Sequence, residues 1–295
     1  MGRIVYAAAM SHVLSPDYYG KNVGPHGRAM VEELMGVVRA MGRTMLDRRP
    51  DALLVVADDH LNVFSFDAIP AFCVRIGQSV QKMEQDGAIE FDRALEGLPV
   101  RYLLHEDLAN AVLEQGLEAG IDFAASWSAP LDHAFLSPVS VLCGDRPVPP
   151  LVPLWVNCFV SPQPTARRCF AVGQHVARVV RESPWNVAVI ATGGLSHFPA
   201  LSLARVGTSD VEFDRRIVRH LEAGEHEALC ALTIKELHET GSHELLNWMV
   251  LVGAVSPARA QMRFFGEMGR IDLAAVEWGI GGPELRGPHV QRPIG

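Results

Sequence analysis

Cysteine is scarce in this chain, and the few cysteines form no recognisable motif. Among its 295 residues there are five cysteines, which are odd in number and show no C-x-x-C spacing. These features argue against a cysteine zinc site and against a disulfide framework. The sequence therefore predicts reduced thiols in a cytoplasmic protein.

The chain also lacks a long apolar run and a basic surplus. No stretch approaches the roughly 20 apolar residues that a membrane-spanning helix needs, and the N-terminal MGRIVYAAAMSH does not have the pattern of a signal peptide. There are 26 Lys and Arg against 34 Asp and Glu, which gives a net charge of −8. This balance disfavours a nucleic-acid or anionic-membrane partner and favours a soluble enzyme.

Internal repeats, low-complexity tracts and clear linkers are absent as well. Hydrophobic residues make up 48% and charged residues 20% of the chain, an ordinary composition for a globular protein with a full core. The simplest prediction is a single catalytic α/β domain over residues 1–295. Within it, the Pro/Gly-rich tail 281–295 is expected to be loose or to pack against a partner.

Three apolar runs without polar alternation each end in a histidine. The segments RIVYAAAMSH, DALLVVADDH and NVAVIATGGLSH end at His12, His60 and His197. Runs of this kind are typical of strands that are buried on both faces of a parallel sheet. Because open α/β sheets bind ligands at the carboxyl edge of their strands, we expect the three histidines to lie at one edge.

Helical and further strand patterns separate these runs. Helices are predicted over residues 28–48, 106–119, 166–182, 209–221, 225–232 and 243–254, and strands over 99–104, 151–159 and 274–278. This alternation predicts a central mixed, largely parallel sheet flanked by helices, with the active site at the carboxyl edge of the strands.

Glu244 is a carboxylate near the start of an apolar helix, where an unpaired charge is costly. A metal bound by His12, His60 and Glu244 would remove that cost. Two histidines and one carboxylate leave coordination positions open, as in non-haem Fe(II) oxygenases, but they also suit catalytic zinc. An iron dioxygenase, a zinc hydrolase and a metal-free binding protein therefore all stay open, and Glu244 could instead be a helix N-terminal acid.

Two further histidines suit acid–base chemistry. His197 follows the Gly-Gly turn, and His133 follows Asp132 in a predicted loop before the apolar run 139–143. A neutral imidazole beside a metal-bound phenol can accept a proton at neutral pH and later return it. We therefore expect acid–base roles for His197 and His133.

Taken in order, the motifs resemble those of a known enzyme family. A-M-S-H, D-D-H, P-L-D-H, T-G-G-L-S-H and G-S-H-E-L-L-N-W resemble the class III extradiol ring-cleavage dioxygenases, the catalytic subunits of the protocatechuate 4,5-dioxygenase type. The resemblance implies that His12, His60 and Glu244 bind Fe(II). It also implies that His197 is the catalytic base and later acid, and that His133 contacts substrate or oxygen.

The same resemblance implies a reaction and partners. O2 would be inserted into the ring of a catechol-like or hydroxypyridone-type substrate to give a ring-opened, semialdehyde-type product. The chain would form a homo-oligomer or pair with a small second subunit. The family commonly has Asn where this chain has Asp58, which predicts altered hydrogen bonding around His60.

Overall fold

The computed structural model describes residues 1–12, 14, 24–84, 95–197, 208–269 and 271–280, which form ten strands and eight helices. The strands are β1 (Arg3–Met10), β2 (Ala52–Asp58), β3 (Phe72–Arg75), β4 (Ser79–Gln81), β5 (Arg101–Leu103), β6 (Ala124–Ser126), β7 (Leu151–Val156), β8 (Asn186–Thr192), β9 (Ala260–Glu267) and β10 (Asp272–Trp278). The helices are α1 (Gly24–Asp47), α2 (Glu106–Glu118), α3 (His133–Cys143), α4 (Ala166–Glu182), α5 (Val211–Ala223), α6 (His226–Cys230), α7 (Ile234–Thr240) and α8 (Leu245–Val255). The tail predicted over 281–295 lies outside the described residues.

Eight of the strands form one mixed sheet in the order β6-β3-β7-β2-β8-β1-β10-β9. The central strands β7, β2, β8 and β1 are parallel to one another. Strand β3 runs antiparallel to β7, and β10 and β9 form an antiparallel edge beside β1. Strands β4 and β5 form a separate pair. The predicted α/β class with a mixed, largely parallel sheet is confirmed.

Helices cover both faces of this sheet, which explains why its strands show no polar alternation. Leu53, Val55 and Ala57 of β2 join a core layer with α1 and α3. Leu54 and Val56 join the opposite layer, which includes α2, α4 and α8. Every residue of β2 is buried, as expected for a strand with a hydrophobic layer on each side. None of the helices in the described part of the chain has the length and apolar character needed to cross a bilayer.

The three strands that lead to histidines are neighbours in the sheet. Strand β8 lies between β2 and β1 and is parallel to both, with Met10 opposite Thr192 and Val56 opposite Ala191. Their carboxyl ends therefore meet at one edge. Strand β1, helix α1 and strand β2 form a strand–helix–strand unit, and β8 lies between its two strands.

The structure corrects the predicted environment of His133. His133 is the first residue of α3, not part of a loop, because the Asp132 carboxylate caps the helix by accepting a hydrogen bond from the Ala134 N–H at 3.0 Å. Outside the site, His175 is buried on α4 and its Nε2 lies 3.0 Å from the Val112 carbonyl oxygen.

The sequence analysis did not predict the short strands β3 and β6 or the edge strand β9. Strand β3 has four residues and β6 has three, too few to show a period. Strand β9 alternates buried and half-buried residues, the pattern of an edge strand with one covered face.

Candidate active site and metal centre

His12 lies directly beyond β1 in a turn that is tied to β10. The Ser11 N–H donates to the Ala274 carbonyl at 2.9 Å, and the Ala274 N–H donates back to Ser11 Oγ at 3.0 Å. This reciprocal pair fixes the backbone that carries His12, whose side chain is buried.

His60 lies in a turn that Asp59 stabilises. The Asp59 carboxylate accepts hydrogen bonds from the backbone N–H groups of Val63 and Phe64, at 3.0 and 2.8 Å. Leu61 adopts a left-handed backbone conformation with φ of 60°, which reverses the chain after His60. An acid, a histidine and a tight turn therefore follow directly from the end of the strand.

Glu244 lies at the N-cap of α8 and contacts the turn after β8. One carboxylate oxygen, Oε2, accepts the Gly194 N–H. A Cβ on Gly193 would lie 2.8 Å from the Glu244 Cβ, and Gly193 has φ of +119°. Only glycine tolerates both that conformation and that approach, so the Gly-Gly turn allows Glu244 to reach the strand ends.

The other oxygen of Glu244, Oε1, is surrounded by imidazoles. It lies 3.9 Å from His12 Nε2, 3.5 Å from His60 Nε2 and 3.4 Å from His197 Nε2. These separations exceed the usual N–H···O distance of about 2.9 Å. They approach the roughly 3 to 3.5 Å between two ligand atoms that each lie about 2.1 Å from one ion. The residues present therefore fit a metal.

Asp58 faces the same point, although sequence reasoning gave it no ligand role. Potential ligand atoms of His12, Asp58, His60 and Glu244 all lie within 4.8 Å of one another. Asp58 Oδ2 is 3.3 Å from His60 Nε2, and the carboxylate is fully buried. Two carboxylates and two imidazoles thus converge where the resemblance implied one carboxylate.

Asn247 is a second site residue that the sequence analysis missed. Its Nδ2 donates to Asp58 Oδ1 at 2.9 Å and to the Thr192 carbonyl at 3.0 Å. Asn247 follows Glu244 by three positions, a spacing that puts both on one helix face. That spacing was the one sequence feature that could have indicated Asn247 as a site residue.

His133 completes a group of three close imidazoles. Its ring centroid lies 5.2 Å from that of His12 and 4.8 Å from that of His60. His12, His60 and His133 form an alternative set of potential ligands. His133 is thus close enough either to bind a metal or to touch what the metal binds.

Burial and neighbouring charges set the protonation states. Burial lowers the pKa of His12 to about 4 and that of His133 to about 3, so both are neutral at pH 7, the form that metal ligation requires. Burial raises the pKa of Asp58 to about 7. Burial alone would raise the pKa of Glu244, but the neighbouring imidazoles, His60 among them, hold that pKa well below its ordinary value.

The orientation of His197 can be assigned from its partner. Its Nδ1 lies 3.2 Å from the Leu195 carbonyl oxygen. Because a carbonyl only accepts, Nδ1 must carry the proton. In the neutral ring the lone pair is then on Nε2, the nitrogen that lies 3.4 Å from Glu244 Oε1. A proton acceptor therefore stands beside the candidate metal position.

An aromatic side chain forms one wall of this site. The Phe159 ring centroid lies 5.6 Å from that of His60 and 5.4 Å from that of His243. The sequence analysis did not single out Phe159, which is the last residue of the predicted strand 151–159 and belongs to no recognisable motif.

A comparison with protein families decides which family this site belongs to. The profile described as the catalytic LigB subunit of aromatic ring-opening dioxygenase matches residues 6–272. The chain belongs to the LigB family. The class III extradiol dioxygenase family that the motif order indicated is thus confirmed, although the match does not single out the protocatechuate 4,5-dioxygenase type within it. LigB membership implies a metal cofactor and O2.

Similar curated proteins carry dioxygenase names. The LigB-family chain is 31% identical over 202 residues to 2,3-dihydroxyphenylpropionate/2,3-dihydroxicinnamic acid 1,2-dioxygenase 2 of Pseudomonas putida, covering 68% of this chain and 59% of the relative. It is 29% identical over 178 residues to the similarly named enzyme of Photorhabdus laumondii, covering 60% and 53%. The matched parts thus span little more than half of these relatives.

A solved structure shares the fold. An uncharacterized protein from Escherichia coli K12 superposes with a TM-score of 0.56 at 18% identity, over 93% of this LigB-family chain and 100% of the other. At this identity the likeness concerns the fold alone.

Proposed function

We propose that this chain is an Fe(II)-dependent extradiol ring-cleavage dioxygenase, an oxidoreductase that incorporates both atoms of O2 into an aromatic diol. The observation that carries this proposal is the convergence of His12, His60 and Glu244, with His197 Nε2 3.4 Å from Glu244 Oε1. Metal ligands and a neutral base in one pocket are what a ring-opening reaction on a diol needs.

His12, His60 and Glu244 would hold the metal, and Asp58 lies near enough to act with them. When bound, Fe(II) would supply Lewis acidity and open coordination positions for the diol and O2. Neutral His12 and ionised Glu244 are already in the ligating protonation state. Asn247 holds Asp58 in place through its 2.9 Å hydrogen bond.

His197 would accept a proton from the substrate and later return it. Its Nδ1–H is engaged with the Leu195 carbonyl, so Nε2 is the atom that accepts a proton from a substrate hydroxyl. The resulting imidazolium would be stabilised by the adjacent Glu244 carboxylate and could return the proton as the ring opens. His133, neutral and buried between His12 and Asp132, would donate a hydrogen bond to substrate or oxygen.

The substrate class follows from the relatives' names together with the pocket. Those relatives are named for 2,3-dihydroxyphenyl acids, and the Phe159 ring beside His60 offers a flat apolar face for an aromatic ring. We infer a catechol-like substrate or a hydroxypyridone analogue, and a ring-opened semialdehyde-type product.

Organisation and location are further parts of the proposal. Residues 1–295 are taken as one catalytic domain, which acts as a homo-oligomer or with a small second subunit. A cytoplasmic location is supported by the five cysteines, all of which are free and buried.

The test is anaerobic purification with metal analysis, followed by O2 uptake on a panel of catechols and hydroxypyridones. About one iron per chain, O2 consumption and a new yellow ring-fission product are expected. Zinc without O2 uptake on any diol would overturn the proposal and favour a zinc hydrolase. Absence of any bound metal, with diol binding intact, would favour a metal-free binding protein.

A further inference from the structure

A network of buried acids lies directly behind His197. The Ser196 N–H donates to both carboxylate oxygens of Asp214, at 3.0 and 3.1 Å, and Ser196 Oγ donates to Asp214 Oδ2 at 2.6 Å. On the other side, the Asp272 N–H donates to the Ser196 carbonyl at 3.3 Å. The residue that precedes His197 is thus held by two aspartates.

These aspartates are also neighbours. Both residues are fully buried, and neither carboxylate oxygen of Asp272 has a hydrogen-bond partner when the group is ionised. A buried carboxylate without a donor, beside a second carboxyl group, is costly, and a proton held between the two groups removes that cost. Burial raises the pKa of both groups above the ordinary carboxyl value, in agreement with a retained proton.

The surroundings offer little compensating positive charge. Among the described residues, Asp272 faces Ser209, Glu267 of β9 and the Arg215 guanidinium of α5. Arg215 is drawn outward, where it pairs with Glu267 at 2.5 Å. On the other side, the Asp210 N–H donates to Ser196 Oγ. An ionised pair would therefore hold two negative charges in an uncompensated buried position, which is costly.

We propose that Asp214 and Asp272 share one proton, and that this carboxyl pair is the positioning element for His197. With the proton in place, Asp214 accepts from Ser196 while Asp272 supports the opposite backbone. His197 is the next residue along the chain after Ser196. Its backbone N–H donates to the Gly241 carbonyl at 3.0 Å, and its ring Nδ1 contacts the Leu195 carbonyl oxygen. Loss of the shared proton makes the carboxylates repel and displaces Ser196, so the base loses its orientation toward the metal position. The effect on catalysis rests on the proposed function.

Asp272→Asn gives the sharpest test, because its amide can donate to Asp214 in place of the shared proton. Infrared spectra at neutral pH are expected to lose one C=O band of a protonated carboxyl in this variant. The NMR signal of His197, identified with His197→Gln, is expected to show an alkaline inflection in the natural chain that Asp272→Asn lacks. Neither measurement needs a substrate, so both hold even if no diol is turned over.

Glu267→Gln is the matched control, because Glu267 faces Asp272 but makes no contact with Ser196. It is expected to keep the infrared band and the inflection.

Asp214→Asn is expected to lower kcat by roughly ten- to a hundredfold with unchanged metal content, since a small misplacement of a base has effects of that size. Identical infrared spectra of Asp272→Asn and the natural chain, or an unchanged His197 titration, would overturn the proposal.

Discussion

At the scale of single residues, the site is built around one carboxylate oxygen. Glu244 Oε1 lies within 4 Å of three imidazole nitrogens, while Oε2 is fixed by the Gly194 N–H. The two oxygens therefore have different tasks, one structural and one directed at the metal position. The three histidines around Oε1 are also expected to differ in their chemical roles, because His12 and His60 are candidate metal ligands and His197 is a candidate base.

Substitution is expected to separate these tasks. His12→Ala, His60→Ala and Glu244→Ala should each lose bound iron and activity, because a ligand is missing. His197→Ala should keep iron but lower kcat by about 10²- to 10⁴-fold, the usual contribution of a general base. The measurements are iron per chain and steady-state O2 uptake. His220→Ala, at a half-exposed pair with Glu225, is the control, and an active His12→Ala would contradict the ligand assignment.

Asp58 allows a finer prediction, since Asn commonly occupies its position in the family that the motifs resemble. Asp58→Asn keeps an oxygen to accept the Asn247 hydrogen bond but removes a negative charge near the metal. The dissociation constant for Fe(II) should rise by about tenfold, within the range seen when groups around a metal are altered. Titration of metal-free protein with Fe(II) under anaerobic conditions measures it. An unchanged affinity would show that Asp58 supports His60 without acting on the metal.

At the scale of elements, the site depends on where strands and helices end. The apolar runs before His12, His60 and His197 predicted buried parallel strands, because burial on both faces leaves a readable pattern. The insertion of β8 between β2 and β1 was not predictable, since strand order depends on contacts distant in sequence. The hydrogen bond between Asp58 and Asn247 was not predictable for the same reason, because this 2.9 Å contact joins β2 to α8.

The close packing of α8 against α4 depends on two glycines. A Cβ on Gly253 would collide with the Phe170 carbonyl oxygen of α4, and one on Gly173 would collide with the Val250 carbonyl oxygen of α8. Backbone atoms cannot rotate away as side chains do, so the two helices must separate if either residue grows. Because Glu244 and Asn247 lie at the start of α8, such a separation would reach the metal position.

Gly253→Ala is therefore expected to lower the free energy of unfolding by about 1–3 kcal/mol, the usual cost of overpacking, and to weaken metal binding. Gly36→Ala on α1 is the matched control, since a Cβ there meets nothing within 4 Å. It should raise stability by about 0.5–1 kcal/mol through helix propensity. Urea denaturation of both variants measures the difference. Equal effects of the two substitutions would refute the close-packing argument.

At the scale of the whole molecule, the candidate ligands join distant parts of the chain. His12 follows the first strand, His60 the second, and Glu244 opens the eighth helix. A metal that binds all three would hold β1, β2 and α8 together, and it would bind only the folded chain, where the three meet. Binding that is selective for the folded state stabilises it in proportion to the logarithm of ligand concentration over Kd.

Metal removal is accordingly expected to lower the thermal stability of the whole chain. At a free metal concentration of 100 times Kd the stabilisation is about 2.7 kcal/mol, which for a domain of this size corresponds to a Tm shift of roughly 4–5 °C. Calorimetry of chelator-treated and Fe(II)-reloaded protein under anaerobic conditions measures it. Glu244→Ala should show one Tm in both conditions, because its metal position is incomplete. A chelator effect of equal size in Glu244→Ala would mean that the stabilising ion binds elsewhere.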